Sequence, residues 1–555
     1  MKKTRTWQIE EKFTPSGVGE QAISQVIDTI LKNRGVRTKK QLQEFLYPKL
    51  SDVTPQNVGI DTKQLEKTLE RIHKAREAKE KIIVFGDYDV DGITGTAVLW
   101  ETLYKQGADV TPYIPHRVDE GYGLSIKGIE NVLTQFPDTR LIITVDNGIV
   151  ANEAVAFANK KGIDVIITDH HTIGEKLPDA FTIVHTIKLC GAGVAWILSR
   201  EITRDTDMGH LDLVALATVA DLVPLTGANR TILKEGLQYL RNTQRVGLTE
   251  LFMEAGIKPE DIDVYHIGHI IGPRLNAMGR MESAMDSLRL LCTKDRVKAR
   301  MLAAKLGVTN RERQLVTQSA SLHAIEHVRN NGKTKNLLFV ANESYEEGVI
   351  GLVAGKLVEE YYRPSIVVSI GQKVSKASAR SVAGFNIIEF IRLASEHLIN
   401  AGGHPMAAGF TVETEKIVLL QEMLEKIAEE KLTPDSLTPV VKIDLEVPLS
   451  IVSASLYDAL KSLGPFGMAN PEPVFATKAV EVVDARAIGR DKSHLKMVVS
   501  ENNLPNIEAI AFGMGELAYS LKPGSKIDIA YVVDENEWNG RKTLQLKIRD
   551  IIKEN

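Results

Sequence analysis

Short apolar runs alternate with helix-like segments through the first half of the chain. The runs KIIVF (81–85), LIITV (141–145) and DVIITD (164–169) are strand-like, and a helix-like segment follows each of the first two. Upstream, Leu65, Leu69 and Ile72 share one face of a helix predicted over 63–80. Strands that alternate with helices predict βαβ units and a parallel sheet.

The pattern changes twice in the second half. Past residue 245 it becomes helical, and a second α/β unit follows, with the runs NLLFVAN and SIVVSI and the glycine-rich turn AGGHPMAAGF. After the polar linker KLTPDSLTP, several β-type runs with little helix between them predict a small closed barrel of the OB type. The predicted division is an N-terminal helical segment (1–60), a parallel-sheet α/β domain (61–245), a helical connector (246–333), a second, smaller α/β domain (334–432) and an OB-like β-barrel (438–555).

Composition adds limits to this picture. Of the 555 residues, 43% are hydrophobic and 25% are charged, which is typical of a globular protein of several domains. No apolar run approaches the roughly 20 residues of a membrane span, and no signal-peptide core follows the charged start, so we expect a cytoplasmic protein without a membrane partner. Two cysteines cannot build a disulfide framework. A net charge of −4 confines any nucleic-acid binding to local patches.

Acidic residues and histidines follow the predicted strands of the first α/β domain. They are Asp87, Asp89 and Asp91 in GDYDVDG, Asp146 in VDNG, Asp169, His170 and His171 in TDHH, and Asp221 in the apolar run ATVADLVPL. The carboxyl ends of parallel strands share one crevice, so folding would bring these carboxylates together, where only cations could neutralise them. Oxygen ligands with an imidazole suit Mg²⁺ or Mn²⁺.

Each part of this set has an ordinary interpretation when taken alone. GDYDVDGITGT also echoes the acidic loop of phosphoribosyltransferases, where the acids hold a ribose. The two histidines are compatible with a helix start, and Asp221 with an N-cap. The coincidence of all four elements at segment ends of one domain favours the metal site.

A basic segment in the connector has two interpretations. Between 289 and 313 there are eight Lys or Arg residues against two acids. The segment is either a solvated connecting helix or a contact for nucleic acid, and the sequence does not decide between them.

The motifs GDYDVDG, VDNG, TDHH and ATVADLVPL, in this order and spacing, resemble those of the DHH phosphoesterase superfamily. AGGHPMAAGF is similar to the glycine-rich motif of the DHH-associated domain. Within the superfamily, YIPHRVDEGYG, GPRLNAMGR, SARSVAGF and a trailing OB-like barrel resemble the RecJ family of single-stranded-DNA-specific exonucleases, over nearly the whole chain.

The resemblance implies a role for individual residues. Asp89, Asp91, Asp146, His170 and Asp221 would bind two divalent cations, Mn²⁺ or Mg²⁺, with Asp146 bridging and Asp87 as a further ligand or orienting partner. His171 would lie beside the scissile phosphate, and His404 would reach in from the second domain. The residues expected to bind substrate, chiefly at a 5′-terminal phosphate, are Arg117, Asn276, Arg280, Ser378 and Arg380.

The implied function is hydrolysis of single-stranded DNA from 5′ to 3′ in recombination and repair, by a monomer with single-stranded-DNA-binding protein and a RecQ-type helicase as further partners. Two alternatives stay open: a DHH phosphodiesterase acting on nanoRNA or cyclic dinucleotides, and a RecJ-like scaffold without catalysis. The chain departs from the family in the second domain, where it has Ser344-Tyr345-Glu346-Glu347-Gly348 and a Trp-His is expected before the glycine. It also departs after Ile183, where the stretch is shortened and lacks an expected Asn-Pro.

Overall fold

The computed structural model describes residues 5–12, 19–117, 119–204, 209–330, 332, 334–501, 505–538 and 540–553. Within these ranges the strands form three sheets, and a run of helices joins the first α/β domain to the second. No helix of the described ranges is long and apolar enough to cross a lipid bilayer.

The described part of the first sixty residues, 5–12 and 19–60, contains one strand, three α-helices and a short 3-10 helix (Leu50–Asp52). The strand and the α-helices are β1 (Thr6–Lys12), α1 (Glu20–Asn33), α2 (Lys39–Leu46) and α3 (Pro55–Val58). The strand β1 is an addition to the sequence analysis, which expects only helices in this segment.

Five parallel strands form the sheet of the first α/β domain: β2 (Lys81–Phe85), β3 (Val110–Tyr113), β4 (Thr139–Val145), β5 (Asp164–Asp169) and β6 (Thr182–His185). Helices cover both faces, which is why β2, β4 and β5 are almost wholly buried and appear in the sequence as apolar runs. The helices of this domain are α4 (Thr62–Glu77), α5 (Val90–Lys105), α6 (Ile126–Gln135), α7 (Asn152–Lys160), α8 (Gly191–Thr203), α9 (Leu211–Ala220) and α10 (Gly227–Arg241).

The strand order β3-β2-β4-β5-β6 creates one crevice at the carboxyl edge of the sheet. From β2 the chain runs to β3 on one side and then returns to β4 on the other, so the crossovers diverge between β2 and β4. Ligands of such sheets bind at this switch point. The loops after β2 and β4 are the ones that carry GDYDVDG and VDNG.

The connector and the second α/β domain follow in the predicted order. The connector consists of α11 (Val246–Ala255), α12 (Val264–His266), a π-helical turn (Ile267–Ile271), α13 (Gly272–Met281), α14 (Met285–Cys292) and α15 (Arg296–Asn330). The second domain consists of β7 (Leu338–Asn342), α16 (Ile350–Tyr361), β8 (Ser365–Ser369), β9 (Val374–Arg380), α17 (Ile387–Arg392), β10 (Leu398–His404), β11 (Ala407–Glu413) and α18 (Ile417–Lys431), with the strand order β10-β11-β9-β8-β7.

The C-terminal region closes into a barrel. Its elements are β12 (Val440–Glu446), α19 (Ala454–Lys461), β13 (Phe475–Ile488), β14 (His494–Ser500), β15 (Ile507–Ala511), β16 (Lys526–Trp538) and β17 (Arg541–Lys553). Pairing of β13 with β16 closes the ring β13-β14-β15-β17-β16, and β12 and β1 extend it as parallel strands. The predicted fold class is confirmed, whereas the domain boundaries stay predictions.

The N-terminal segment packs on the barrel although 400 residues separate them in sequence. Val26 and Ile30 of α1 share a buried apolar cluster with Leu456 of α19 and Phe475 of β13. Helix α1 and the barrel therefore build one core.

Arg230 joins the barrel and the N-terminal segment to the first α/β domain. Its side chain is 1% exposed and donates from Nε to the carbonyl oxygen of Phe45 (2.9 Å) and from Nη2 to that of Gly464 (2.6 Å). The guanidinium also lies over the Phe45 ring, 3.8 Å from its centroid. One buried side chain thus holds three segments of the chain together.

We expect Arg230→Leu to destabilise the protein by about 3 kcal/mol, because it leaves buried carbonyl groups without a donor. Urea unfolding measures this loss. Arg289→Leu, which removes an exposed arginine paired with Asp286, is the control and should cost less than about 1 kcal/mol. Equal losses of unfolding free energy in the two variants would contradict a role for Arg230 in holding the three segments together.

Candidate active site

The loop after β2 places three carboxylates at the start of α5. Asp89 is the N-cap of α5, and its Oδ1 accepts hydrogen bonds from the backbone N–H groups of Asp91 (2.9 Å) and Gly92 (3.1 Å). The two oxygens of Asp91 accept from the N–H groups of Gly191 (2.6 Å) and Ala192 (2.7 Å) at the start of α8. Two helix N-termini therefore stabilise negative charge here.

Asp146 follows β4 in a left-handed conformation, with φ of 64°. A Cβ on Gly191 would lie 2.5 Å from the Cβ of Asp146, so only glycine allows α8 to come this close. Oδ1 of Asp146 is 3.1 Å from Nε2 of His170. The same imidazole nitrogen is 3.6 Å from Oδ2 of Asp221, which ends α9 as its C-cap rather than beginning a helix.

The structure brings all six predicted metal ligands together. The ligand atoms of Asp87, Asp89 and Asp146 lie within 4.8 Å of one another, and so do those of Asp91, His170 and Asp221. A third group of the same kind consists of Asp146, His170 and His171. Asp146 and His170 thus lie between the other two groups.

Burial and mutual repulsion disfavour the charged forms of Asp87, Asp146 and Asp221. Burial, and then the neighbouring carboxylates, raise the pKa of Asp87 and of Asp146 well above the ordinary value. For the same reasons the pKa of Asp221 rises to about 9. Among the described residues, Oδ1 of Asp87, Oδ1 of Asp146 and Nε2 of His170 are buried without a hydrogen-bond partner. Carboxylate oxygens with one imidazole nitrogen fit Mn²⁺ or Mg²⁺.

His171 is held by Asp169, which is one of the strand-end acids but not one of the predicted metal ligands. Oδ1 of Asp169 is 2.7 Å from Nδ1 of His171, and its Oδ2 accepts from the N–H group of Ile149 at 2.9 Å. Burial alone would lower the pKa of His171, but the hydrogen bond and charge of Asp169 raise it to about 9. Only the position of Asp169 in TDHH, at a strand end, could have indicated this.

Two more side chains approach His171 from other segments. The hydroxyl of Tyr122 lies 3.0 Å from its Nε2, and the ring of His404 stacks with its centroid 6.1 Å away. Tyr122 belongs to the EGYG loop and is a residue that the sequence analysis does not identify. His404 lies where the resemblance places it, next to His171 at the boundary with the second α/β domain.

All five predicted substrate-binding residues line one cavity between the two α/β domains. The cavity has a volume of about 690 Å³ and includes Asp87 and Asp89 in its wall. Its predicted lining residues are Arg117, Asn276, Arg280, Ser378 and Arg380. We call the cluster of the six predicted metal ligands the acidic centre. The cavity therefore connects the acidic centre to a group of basic side chains.

Hydrogen bonds hold these side chains in place. Oδ1 of Asn276 accepts from the N–H group of Val90, which ties α13 to the acidic loop. Arg280 donates from Nη1 to the carbonyl oxygen of Gly348 (3.2 Å), and Arg380 donates to Oγ of Ser378 (3.2 Å).

The arginines repel one another as the carboxylates do. Burial, followed by the charges of Arg117, Arg313 and Arg380, lowers the pKa of Arg280 to about 10. Burial and Arg117 also lower the pKa of Arg380. Arg117, Arg280 and Arg380, here called the arginine cluster, favour the binding of an anion with several oxygen atoms. Guanidinium groups suit a phosphate in this role.

The basic segment 289–313 has less free charge than its sequence suggests. Arg296 and Arg300 both pair with Glu250, at 2.8 and 3.2 Å, and Arg311 pairs with Glu254 at 2.9 Å. Lys305 pairs with acids of the connector as well. These pairs favour the solvated helix over a continuous nucleic-acid contact.

Tyr345, in the segment where the chain departs from the family before Gly348, is packed in the core. The ring is buried, and its hydroxyl lies 2.7 Å from Nδ1 of His323 on α15. Two residues later, Glu347 lines the cavity.

Three family models match the chain: "DHH family, N-terminal domain" at residues 81–218, "DHHA1 domain" at 334–430 and "RecJ OB domain" at 443–550. The single-stranded-DNA-specific exonuclease RecJ of Bacillus subtilis is 38% identical over 539 residues, which are 95% of this chain and 68% of that protein.

Among solved structures, RecJ of Thermus thermophilus in complex with Mn²⁺ matches with a TM-score of 0.83 at 28% identity, over 99% of this chain and 80% of that one. The same protein in complex with Mg²⁺ matches with a TM-score of 0.77 at 27% identity, over 99% and 79%.

We expect Mn²⁺ to stabilise the protein more at high pH than at low pH. Because the pKa of Asp221 is raised to about 9, the metal-free fold is favoured below about pH 4 and loses this advantage as the pH rises through 9. Mn²⁺ binds the deprotonated carboxylates and removes the repulsion. At one fixed concentration, 100 times the Kd at pH 8.5, Mn²⁺ should raise the Tm by about 5 °C at pH 8.5. At pH 5.5, where protonation of the carboxylates weakens Mn²⁺ binding, the same concentration should raise the Tm by less than half of that. Equal shifts at both pH values in thermal unfolding would contradict the cluster.

We expect Asp169→Asn to lower the pKa of His171 from about 9 towards its ordinary value, because the amide carries no charge. An NMR titration of the imidazole in metal-free protein measures the shift, and the rate of strand cleavage at pH 7.5 should fall about 10- to 100-fold. Asp164→Asn, at the opposite end of β5, is the matched control and should leave the pKa unchanged. An unshifted pKa in Asp169→Asn would show that Asp169 does not hold the proton on His171.

Proposed function

The chain belongs to the RecJ family, and we propose that it is a metal-dependent exonuclease that hydrolyses single-stranded DNA from the 5′ end, in recombination and repair. The observation that carries this proposal is the shared cavity, which has the acidic centre at one end and an arginine cluster beside it. A site of this kind can hold a phosphate terminus and cut a bond at a fixed distance from it.

Two divalent cations, Mn²⁺ or Mg²⁺, are the proposed cofactors. Asp87, Asp89 and Asp146 would hold one of them, and Asp91, His170 and Asp221 the other. Asp146 lies next to the second group, since its Oδ1 is 3.1 Å from Nε2 of His170. When bound, such a pair of ions activates water and stabilises the charge that develops on a phosphorus centre during in-line attack.

The chain itself supplies proton control and orientation around this centre. His171 carries a proton at neutral pH, since Asp169 raises its pKa, and Tyr122 and His404 flank its ring. A protonated imidazole beside the scissile phosphate would donate a hydrogen bond to a non-bridging oxygen as negative charge accumulates there. His404 would complete the site from the second α/β domain.

The arginine cluster would select the end of the strand. A terminal phosphate carries up to one more negative charge than an internal diester, because its second pKa is near 6. Arg117, Arg280 and Arg380 therefore favour a 5′-phosphate over the interior of a strand, with Ser378 as a neutral donor.

The alternatives are less consistent with the chain. A small DHH phosphodiesterase would not need the barrel, which matches the RecJ OB model, and a scaffold would have no use for so many repelling carboxylates. We further propose single-stranded-DNA-binding protein and a RecQ-type helicase as partners, a monomeric state and a cytoplasmic location. The barrel, with 14 basic and 16 acidic residues from Val440 onward, would bind DNA or protein through a localised face.

We expect Arg280→Ala to slow digestion of 5′-phosphorylated single strands about 10- to 100-fold, as for loss of a buried charge-assisted contact, and to affect 5′-hydroxyl strands less. End-labelled oligonucleotides in Mn²⁺ measure both rates, and Arg289→Ala is the control. Equal losses on the two substrates would contradict the phosphate pocket, and cleavage of circular single strands by the unmodified protein would contradict the exonuclease.

A further inference from the structure

The sheet of the second α/β domain forms one wall of the cavity, in successive rows of side chains. Arg380 on β9 is opposite Ala407 on β11, which is opposite His404 on β10. Since the ring of His404 stacks with His171, this row lies at the acidic centre.

A polar row lies farther along the same wall. Lys376 is opposite Thr411, which is opposite Asn400, and all three line the cavity. Lys376 is two residues from Ser378 and four residues from Arg380 along β9, and residues four apart on a strand are about 13 Å apart. The polar row therefore lies beyond both residues, on the side away from the carboxylates.

An ion pair crosses this far end. Oε2 of Glu347 is 2.8 Å from Nζ of Lys376, and both side chains line the cavity with 38% and 42% exposure. Glu347 directly precedes Gly348, whose carbonyl oxygen accepts from Arg280. Arg280 and the Glu347–Lys376 pair therefore lie at neighbouring positions along the same cavity, with the ion pair farther from the carboxylates.

We propose that the Glu347–Lys376 pair is the end wall of the 5′-phosphate pocket and restricts it to a monophosphate, so that 5′-di- and triphosphate ends are rejected. This inference rests on the proposed function. Additional phosphates would bring negative charge against Glu347, and juxtaposed like charges are unfavourable. Glu347 also neutralises Lys376, which would otherwise be a phosphate ligand.

The test uses single strands of one sequence that carry a 5′-monophosphate or a 5′-triphosphate. The unmodified protein should degrade the monophosphate strand at least about fivefold faster than the triphosphate strand. This factor is the upper end of the effect expected from an interaction between partly exposed charges. Glu347→Gln should reduce this ratio about fivefold, by raising the rate on the triphosphate strand. Lys376→Met, which leaves Glu347 unpaired, should increase the ratio.

A binding measurement distinguishes direct rejection of the triphosphate end by the Glu347–Lys376 pair from an indirect effect of the substitutions on cleavage. Fluorescence anisotropy in EDTA should show the same change in relative Kd for the two ends. Glu413→Gln is the matched control, because Glu413 pairs with Lys416 in the same domain at similar exposure and does not line the cavity. Its ratio should stay that of the unmodified protein.

The outcomes distinguish failure of the proposed exonuclease function from failure of the proposed end wall. An unmodified protein that degrades neither strand would overturn the proposed function. An active protein without preference, or an unchanged ratio in both Glu347→Gln and Lys376→Met, would overturn the end wall alone.

Discussion

The mutual repulsion of buried carboxylates is the constraint on which this structure depends. Asp87 and Asp146 are each at most 2% exposed and lie close together, and burial and neighbouring charge raise the pKa of both carboxyl groups. A fold gains nothing in stability from such an arrangement, because each uncompensated charge is costly in a medium of low dielectric. The arrangement is useful only if cations occupy it, which is why the acidic centre argues for catalysis.

The rest of the fold holds this unfavourable cluster together. The switch point between β2 and β4 directs the loops with Asp87 and Asp146 into one crevice. Gly191 lets α8 approach Asp146, and α8 in turn donates its first N–H groups to Asp91. The second α/β domain then closes the cavity with cationic side chains, so that opposite charges lie at defined positions along one path.

The sequence predicts the acidic centre better than it predicts the surroundings. Strand-end acids in a parallel sheet must converge, so their proximity follows from local pattern and topology. Only the family resemblance predicts that Arg117, Arg280 and Arg380 lie together, because they belong to three distant segments. Local sequence patterns do not predict contacts between remote segments. One example is the pairing of β1 with β12, which are more than 400 residues apart. Another is Glu250 on α11, which neutralises Arg296 although it lies outside the basic segment 289–313. Asp169 was visible as a strand-end acid, but its bond to His171 is a matter of side-chain geometry.

The number of Mn²⁺ ions that bind the folded chain tests the central claim most directly. Electron paramagnetic resonance at pH 8, with free and bound Mn²⁺ separated by their signals, should count two ions per chain, one for the group of Asp87, Asp89 and Asp146 and one for the group of Asp91, His170 and Asp221. Asp221→Asn should reduce the count to one, because it removes a ligand from one group only. A count of one or none in the unmodified protein, with circular dichroism showing a folded chain, would contradict the two-cation centre.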